Sequence, residues 1–180
     1  MEDLSLHILD IAENSIAAGA HTLSIVVTED VARDLLSIQI ADDGKGMSSE
    51  IAEKAADPFF TTRTTRKVGL GLALLREAAA MANGAMEINS APNSGTTIRA
   101  TFELSHVDRK PLGSMAETIS ALIATPARVD ILYKHTRNGK SVVFDTKEVR
   151  NQLGDAPLNS VEALGVIRKY LIQEEDSLVH

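Results

Sequence analysis

The apolar residues of this chain change period several times, and a glycine stands near most of the changes. Between Leu6 and Ala18 the period is helical: Ile8, Leu9, Ile11, Ala12 and Ile16 share one arc of a wheel, while His7, Asp10, Glu13 and Asn14 fill the other. Gly19 ends that helix. Leu23 to Val27 and Leu36 to Ile40 read as strands, the second alternating Leu36, Ile38 and Ile40 with Ser37 and Gln39, and Glu29 to Asp34 connects them. Asp42-Asp43-Gly44-Lys45-Gly46 breaks the second strand, and a short helix follows from Ser48 or Ser49 to about Ala56, ended by Pro58. A Thr- and Arg-rich stretch from Phe60 to Val68 leads into Gly69-Leu70-Gly71 and an alanine-rich helix over Leu72 to Ala82, capped by Asn83-Gly84. Met86 to Asn89 and Thr97 to Leu104 resume strand character around a Pro92-Asn93-Ser94-Gly95 turn, and the first unit closes near Ser105. Beyond it the pattern predicts a helix over Ser114 to Ala124, a hairpin of Val129 to Tyr133 and Ser141 to Phe144 around Arg137-Asn138-Gly139, and a last helix over Val161 to Ile172.

A length of 180 residues with 44% apolar content suits one compact domain, or one domain with an extension. The expected division is a first unit over residues 1–105 and an extension, helix–hairpin–helix, over 106–180 that packs on the same sheet. Eighteen basic against twenty-five acidic residues give a net charge of −7, which predicts no non-specific attraction to nucleic acid or anionic membrane. Proteins and small molecules are the expected partners. With no cysteine, disulfides and thiolate metal sites are excluded; Glu2 and Asp3 are unlike a basic leader, and a cytoplasmic location is expected. No apolar run reaches the roughly 18 residues of a membrane span, and aromatics at 3% give no platform for stacking bases.

Four short stretches carry chemistry. Asp10 and Asn14 are four residues apart, about 40° from each other on a helix, so one ligand could meet both. An amide oxygen is a hard ligand suited to magnesium, and a carboxylate one turn away can accept a proton from water or a hydroxyl. Taken alone, the same pair is an ordinary solvated face. Asp42 at a strand end can accept the exocyclic amino hydrogen of adenine, with glycines letting the backbone approach a flat base; alone it is also an ordinary turn, and the remaining ligands of a calcium loop are absent. Gly69-Leu70-Gly71-Leu72 opens a helix, where free amides and the dipole favour phosphate, although neither the P-loop nor the dinucleotide spacing is present. Arg63, Arg66 and Lys67 precede it and could fold over a triphosphate or form a solvated loop.

Taken in order, the Glu13-Asn14 helix, Asp42-x-Gly44-x-Gly46, Asp57-Pro58-Phe59-Phe60, Gly69-Leu70-Gly71-Leu72 and Gly95-Thr96-Thr97 resemble the gyrase, heat-shock chaperone, histidine kinase and MutL (GHKL) family, and within it a stand-alone histidine-kinase-like ATP-binding domain. The resemblance runs from Leu6 to about Leu104. It implies an α/β fold, a two-layer sandwich of the Bergerat type, in which a mixed sheet carries helices on one face and holds ATP under a mobile lid. It also implies roles: Asn14 as magnesium ligand, Asp42 as adenine contact, Gly44, Gly46 and Met47 at the base, Phe59 beside the lid, Gly69, Leu70, Gly71 and Leu72 at the phosphates, and Thr96 as a polar contact near the base. Thr61, Thr62, Arg63, Arg66 and Lys67 would form the lid. ATPases and serine kinases of the family place an acidic base where Asp10 stands, although Asp is one methylene shorter than the usual Glu; Glu13 is the second candidate base.

Three activities follow from the resemblance: a slow Mg2+-dependent ATPase or ATP-driven switch acting on a regulatory partner protein, a protein kinase passing the γ-phosphate to Ser, Thr or His, and a nucleotide sensor without catalysis. Ser105-His106-Val107-Asp108-Arg109-Lys110-Pro111-Leu112 shares Ser, His, Arg, Pro and Leu with the phosphoacceptor box of histidine kinases, yet it follows the ATP unit instead of preceding it. His7 reads as a surface histidine or as a group orienting Asp10, and His21, His135 and His180 belong to no constellation. The extension is expected to supply sheet edges, a homodimer contact or a partner interface.

Overall fold

A computed structural model describes residues 2–55, 70–154 and 157–179. Helix α1, Leu4–Ala17, starts at Asp3, whose carboxylate accepts the Leu6 amide. The hairpin β1 (Thr22–Asp30) and β2 (Leu35–Asp42) follows, then the short α2 (Ser49–Lys54), capped by Ser48, and α3 (Leu70–Met81). Strands β3 (Met86–Ser90) and β4 (Thr96–Glu103) complete the first part. After them come α4 (Met115–Ala124), β5 (Asp130–Arg137), β6 (Lys140–Asp145), α5 (Thr146–Leu153) and α6 (Val161–Val179).

The six strands form one sheet in the order β3-β4-β2-β1-β5-β6. All neighbours are antiparallel except β1 and β5, which run parallel with Leu23 opposite Ile131 and Val27 opposite His135. Register places Ile25, Ile40, Ile98 and Tyr133 in one cross-strand row, and all four are buried. That inward face meets α1, α3, α4 and α6 in a single core containing Leu4, Ile8, Leu75, Ile119, Leu122 and Leu171. The alternate residues Gln39, Arg99, Lys134 and Val143 are exposed on the other face. This period-two division is what a sheet covered by helices on one side requires.

The extension is built into this sheet. Its strand β5 lies against β1, and α4 packs on both α1 and α6. The link from β4 to α4 passes the start of α1, where Pro111 O and Leu112 O accept the Leu4 and Ser5 amides at 2.9 and 2.7 Å. Thr118 Oγ1 donates to Ser5 O at 3.3 Å in the interior. At the β5–β6 turn, Asn138 and Gly139 both have positive φ, as a tight two-residue hairpin demands.

Three features depart from the sequence pattern. Helix α5 is additional: its sequence is polar, so it shows no apolar period, and it is held by an Asp145 cap and by Arg150, which pairs with Asp130 and donates to Val129 O at 3.1 Å. Helix α6 runs on through Glu174-Glu175-Asp176 to Val179. His135, without partners in the sequence pattern, is buried between two carboxylates: Nδ1 to Glu175 Oε2 at 2.7 Å and Nε2 to Glu29 Oε1 at 2.9 Å. Tyr133 adds a hydrogen bond to Glu175 at 2.7 Å. Burial opposes charging of His135, but the hydrogen bonds it donates to Glu175 and Glu29 prevail and raise its pKa to about 9. One imidazolium thus joins β1, β5 and α6.

Candidate functional site

The site lies at the end of the sheet where β2 runs out. Asp42 stands opposite Thr96 on β4, and Thr96 opposite Ser90 on β3, so three polar side chains share one row on the helix-covered face. Helix α1 crosses above this row. Ser15 Oγ donates to Asp42 Oδ2 at 2.6 Å, and the Gly44 amide donates to Asp42 Oδ1 at 2.9 Å. Each carboxylate oxygen keeps a lone pair for a further donor such as an exocyclic amine. Asp43 points elsewhere: its Oδ1 takes the His21 and Thr22 amides at 2.7 and 2.8 Å, and the Thr22 amide chiefly holds its carboxyl below the usual range. The two adjacent acids are therefore divided into one facing the site and one closing a turn.

Met47 and Thr96 are tied together through a serine the sequence reading passed over. Ser90 Oγ accepts the Met47 amide at 2.8 Å, donates to Gly95 O at 2.9 Å and lies 2.9 Å from Thr96 Oγ1. The Asn93 amide reaches Lys45 O at 2.7 Å. Gly46, at φ +64°, leaves no room for a side chain, since a Cβ would fall 1.9 Å from Ala91 O. A Cβ on Gly95 would likewise fall 1.9 Å from Asp42 O. In this structure these glycines allow two loops to close on each other, a requirement beyond approach to a flat base.

Asp10 and Asn14 do share one side of α1, both half-buried, with Asn14 Nδ2 a long 3.4 Å from Asp10 Oδ2. The Asp10 carboxylate rests on the first turn of α3, where a Cβ on Gly71 would lie 2.0 Å from Oδ2. Leu70 is exposed and Leu72 packs against the core in the same turn. Glu13 is exposed, turned from the side that Asp10 and Asn14 share. Phe59, Thr61, Thr62, Arg63, Arg66, Lys67 and Gly69 lie outside the described residues.

One histidine expectation changes. His7 is fully buried instead of lying at the surface, because α3 and the chain before α4 enclose the flank of α1 that a single wheel assigns to solvent. Burial, with help from the Lys110 charge, lowers its pKa to about 4. Neither ring nitrogen makes a well-formed hydrogen bond among the described residues, Asp10 included, though the Gly71 backbone lies close enough to act against the burial. His106 sits beyond the C-terminal end of β4, whereas Thr96 begins that strand. Eight residues at about 3.4 Å each separate the two ends. His106 is thus remote from the site of its own chain and does not join the other residues.

Ser15 and Ser90 were legible in principle. Both are polar residues at inward positions of an apolar period, where a buried hydroxyl must find a partner. A groove of about 330 Å³ opens between α2, α3 and β3, lined by Ala52, Glu53, Arg76, Met86, Ile88 and Ser90 among others. It meets the row described above at Ser90; Asp42 and Asn14 are not in its lining.

The family model for the histidine kinase-, DNA gyrase B-, and HSP90-like ATPases matches residues 2–106, more than half of the chain. The chain belongs to that family. It is an ATP-binding domain related to those of histidine kinases. The chain is 35% identical over 98 residues to the non-motile and phage-resistance protein of Caulobacter vibrioides, covering 52% of this chain and 12% of that protein. It is 29% identical over 94 residues to the sensor histidine kinase YvrG of Bacillus subtilis, covering 50% and 16%. The shared stretch is thus a small fraction of both relatives. Among solved structures, the N-terminal domain of a DNA repair protein superposes with a TM-score of 0.56 at 17% identity, over 88% of this chain and 59% of that one. That likeness of fold extends beyond the part the family model covers. Among the described residues no helix is long and apolar enough to cross a membrane.

Proposed function

We propose that this family member binds Mg-ATP between α1, the end of β2 and the first turn of α3, and works as a slow ATPase or ATP-driven switch that regulates a partner protein. What supports this reading is helix α1, which sets Asp10 and Asn14 beside Gly71 of α3 and, through Ser15, meets Asp42 of β2, the residue opposite Thr96 of β4. In this reading Asp42 accepts the adenine amino hydrogen, with Ser15 and the Gly44 amide fixing its orientation. Ser90 and Thr96 present hydroxyls to the base side, and Gly44, Gly46 and Met47 form the turn beneath it. Leu70, Gly71 and Leu72 offer the amides of a helix start to phosphate, with Gly69 completing the loop.

The donor set fits magnesium. Asn14 turns its Nδ2 toward Asp10, which leaves the amide oxygen for a hard cation. Among the described residues no three His, Cys, Asp or Glu side chains gather to hold a metal ion, so the nucleotide phosphates would supply most of the remaining ligands. Bound there, magnesium would neutralise phosphate charge and orient the γ-phosphate. Asp10 would take a proton from the attacking group, with Glu13 as the alternative base. The lid would be Thr61, Thr62, Arg63, Arg66 and Lys67, closing near Phe59. Residues 1–105 would form the ATP-binding domain and 106–180 the extension that reports its state to a partner or a second copy. A cytoplasmic location, where ATP and magnesium are both available, is part of this reading.

A second reading, protein kinase, is favoured by the sensor histidine kinase among the relatives. Its acceptor would be Ser, Thr or His on another molecule, since His106 stands far from the site of its own chain. Incubation with γ-labelled ATP and Mg2+ separates the readings. Free phosphate that falls in Asp10→Asn and Asn14→Ala supports the ATPase. Label on added or co-purified protein supports the kinase, and binding without either leaves a nucleotide sensor. Failure to bind ATP overturns the reading as a whole.

A further inference from the structure

The Asp10 carboxylate lies against the part of α3 where the reading above seats phosphate. Its Oδ2 sits where the side chain of Gly71 would begin, 2.0 Å from an ideal Cβ, with Cγ at 2.9 Å, and Gly71 itself is buried in the first turn of α3. A helix start favours one anion through its free amides and dipole. It favours a carboxylate and a phosphate for the same reason, and in a half-buried place two such charges a few ångströms apart repel. Close by on α1, His7 adds no positive charge to offset this, being buried and uncharged at neutral pH.

We propose that Asp10 is the resident anion of the phosphate seat and sets the selectivity of the site, excluding phosphate that arrives without a metal ion. The inference rests on the Mg-ATP reading above. When metal accompanies the phosphates the repulsion falls, and the carboxylate has a place to turn, because Asn14 Nδ2 lies only 3.4 Å from Oδ2 and that long hydrogen bond can shorten. The adenine end is built from Asp42, Ser15, Ser90 and Thr96, separate residues that a change at Asp10 leaves in place. Asp10 therefore acts on the phosphate part of the ligand alone.

The test compares the affinities of the full chain and of Asp10→Asn for adenosine and for ATP, each with Mg2+ and with a chelator, by titration calorimetry. Relief of one charge repulsion is expected to tighten metal-free ATP by about tenfold in Asp10→Asn. Adenosine affinity should stay unchanged, and the gain should shrink when Mg2+ is present. Asp10→Ser, which also lacks the charge, should behave alike and guards against misfolding of the first variant. An equal shift for adenosine and ATP would show a merely structural effect and overturn the proposal, as would an unchanged affinity for metal-free ATP or a gain that Mg2+ does not reduce. If the unaltered chain binds no ATP with Mg2+, the underlying reading fails; if it does and the selectivity is absent, only this inference fails.

Discussion

Two glycines of similar appearance in the sequence answer to different constraints, and substitution separates them. At Gly46 an added methyl meets the backbone of Ala91 at 1.9 Å in a positive-φ conformation, and neither can yield without moving a loop. Gly46→Ala is expected to lose about 2 kcal/mol or more, read as a lower midpoint in chemical denaturation. At Gly71 the obstacle is the far end of the Asp10 side chain, which can rotate. Gly71→Ala should therefore shift the thermal midpoint by no more than about 3 °C, while phosphate release from ATP drops sharply because the carboxylate is displaced. Ser15→Ala removes a 2.6 Å bond to Asp42 and should cost about 1 kcal/mol together with a loss of ATP affinity, measurable by thermal shift with and without nucleotide. At this scale the glycines and acids were legible because their chemistry is unusual wherever it occurs. Ser15 and Ser90 stood out only as polar residues at inward positions and His7 not at all, because what gives each its meaning is a segment packed against it from elsewhere in the chain.

At the scale of elements, legibility followed apolar period. Helices α1, α3 and α4 and the four strands of the first part carry clear periods, and each is present within a few residues of its expected bounds. Helix α5 carries none, and the end of α6 only Leu171 and Leu178, since Arg150 and Glu175 hold them largely by charge and hydrogen bonds. Glu29 extends β1 past Val27 for the same reason, as a partner of His135 and Arg137. This charged junction makes a prediction about pH. His135 has its pKa raised to about 9 against an ordinary 6.5, so the folded state holds the proton more tightly than the unfolded chain. Its contribution is complete below about pH 6.5 and is lost as pH rises through 9. The Glu29 carboxyl is shifted down, first by its hydrogen bond with His135, and its contribution is present above its unfolded value and lost on acidification. Stability to urea should therefore hold a plateau in the weakly acidic to neutral range and decline toward pH 10 by roughly 3 kcal/mol at most. His135→Gln should abolish the alkaline decline and loosen α6, seen as faster amide exchange from Ile167 to Leu178. An unchanged alkaline slope in that variant would show that the charge on His135 is not what fastens α6.

For the whole molecule, the division expected near Ser105 is a boundary in sequence motifs but not in packing. The family match ends at residue 106, yet β1 is an inner strand only because β5 lies beside it. Cutting the chain there would strip β1 of its parallel partner along Thr22 to Glu29 and leave a row of its backbone groups as an open edge. It would also expose Ile8, Leu4 and Val27, which share the buried core with Ile119, Leu122, Tyr133 and Leu171. The Leu4 and Ser5 amides would lose Pro111 and Leu112, so the helix that carries Asp10 and Asn14 would be the first element loosened. A chain of residues 1–105 is accordingly expected to be aggregation-prone, with a broad thermal transition and no measurable ATP affinity, whereas the full chain unfolds in one cooperative step. Co-expression of residues 106–180 with it should restore the missing strand and, with it, nucleotide binding, because the lost contacts are a surface and not a covalent constraint. A well-folded 1–105 fragment that binds ATP as tightly as the full chain would instead mean that the extension does not buttress α1, and that any signal it carries must travel by the β1–β5 pairing alone.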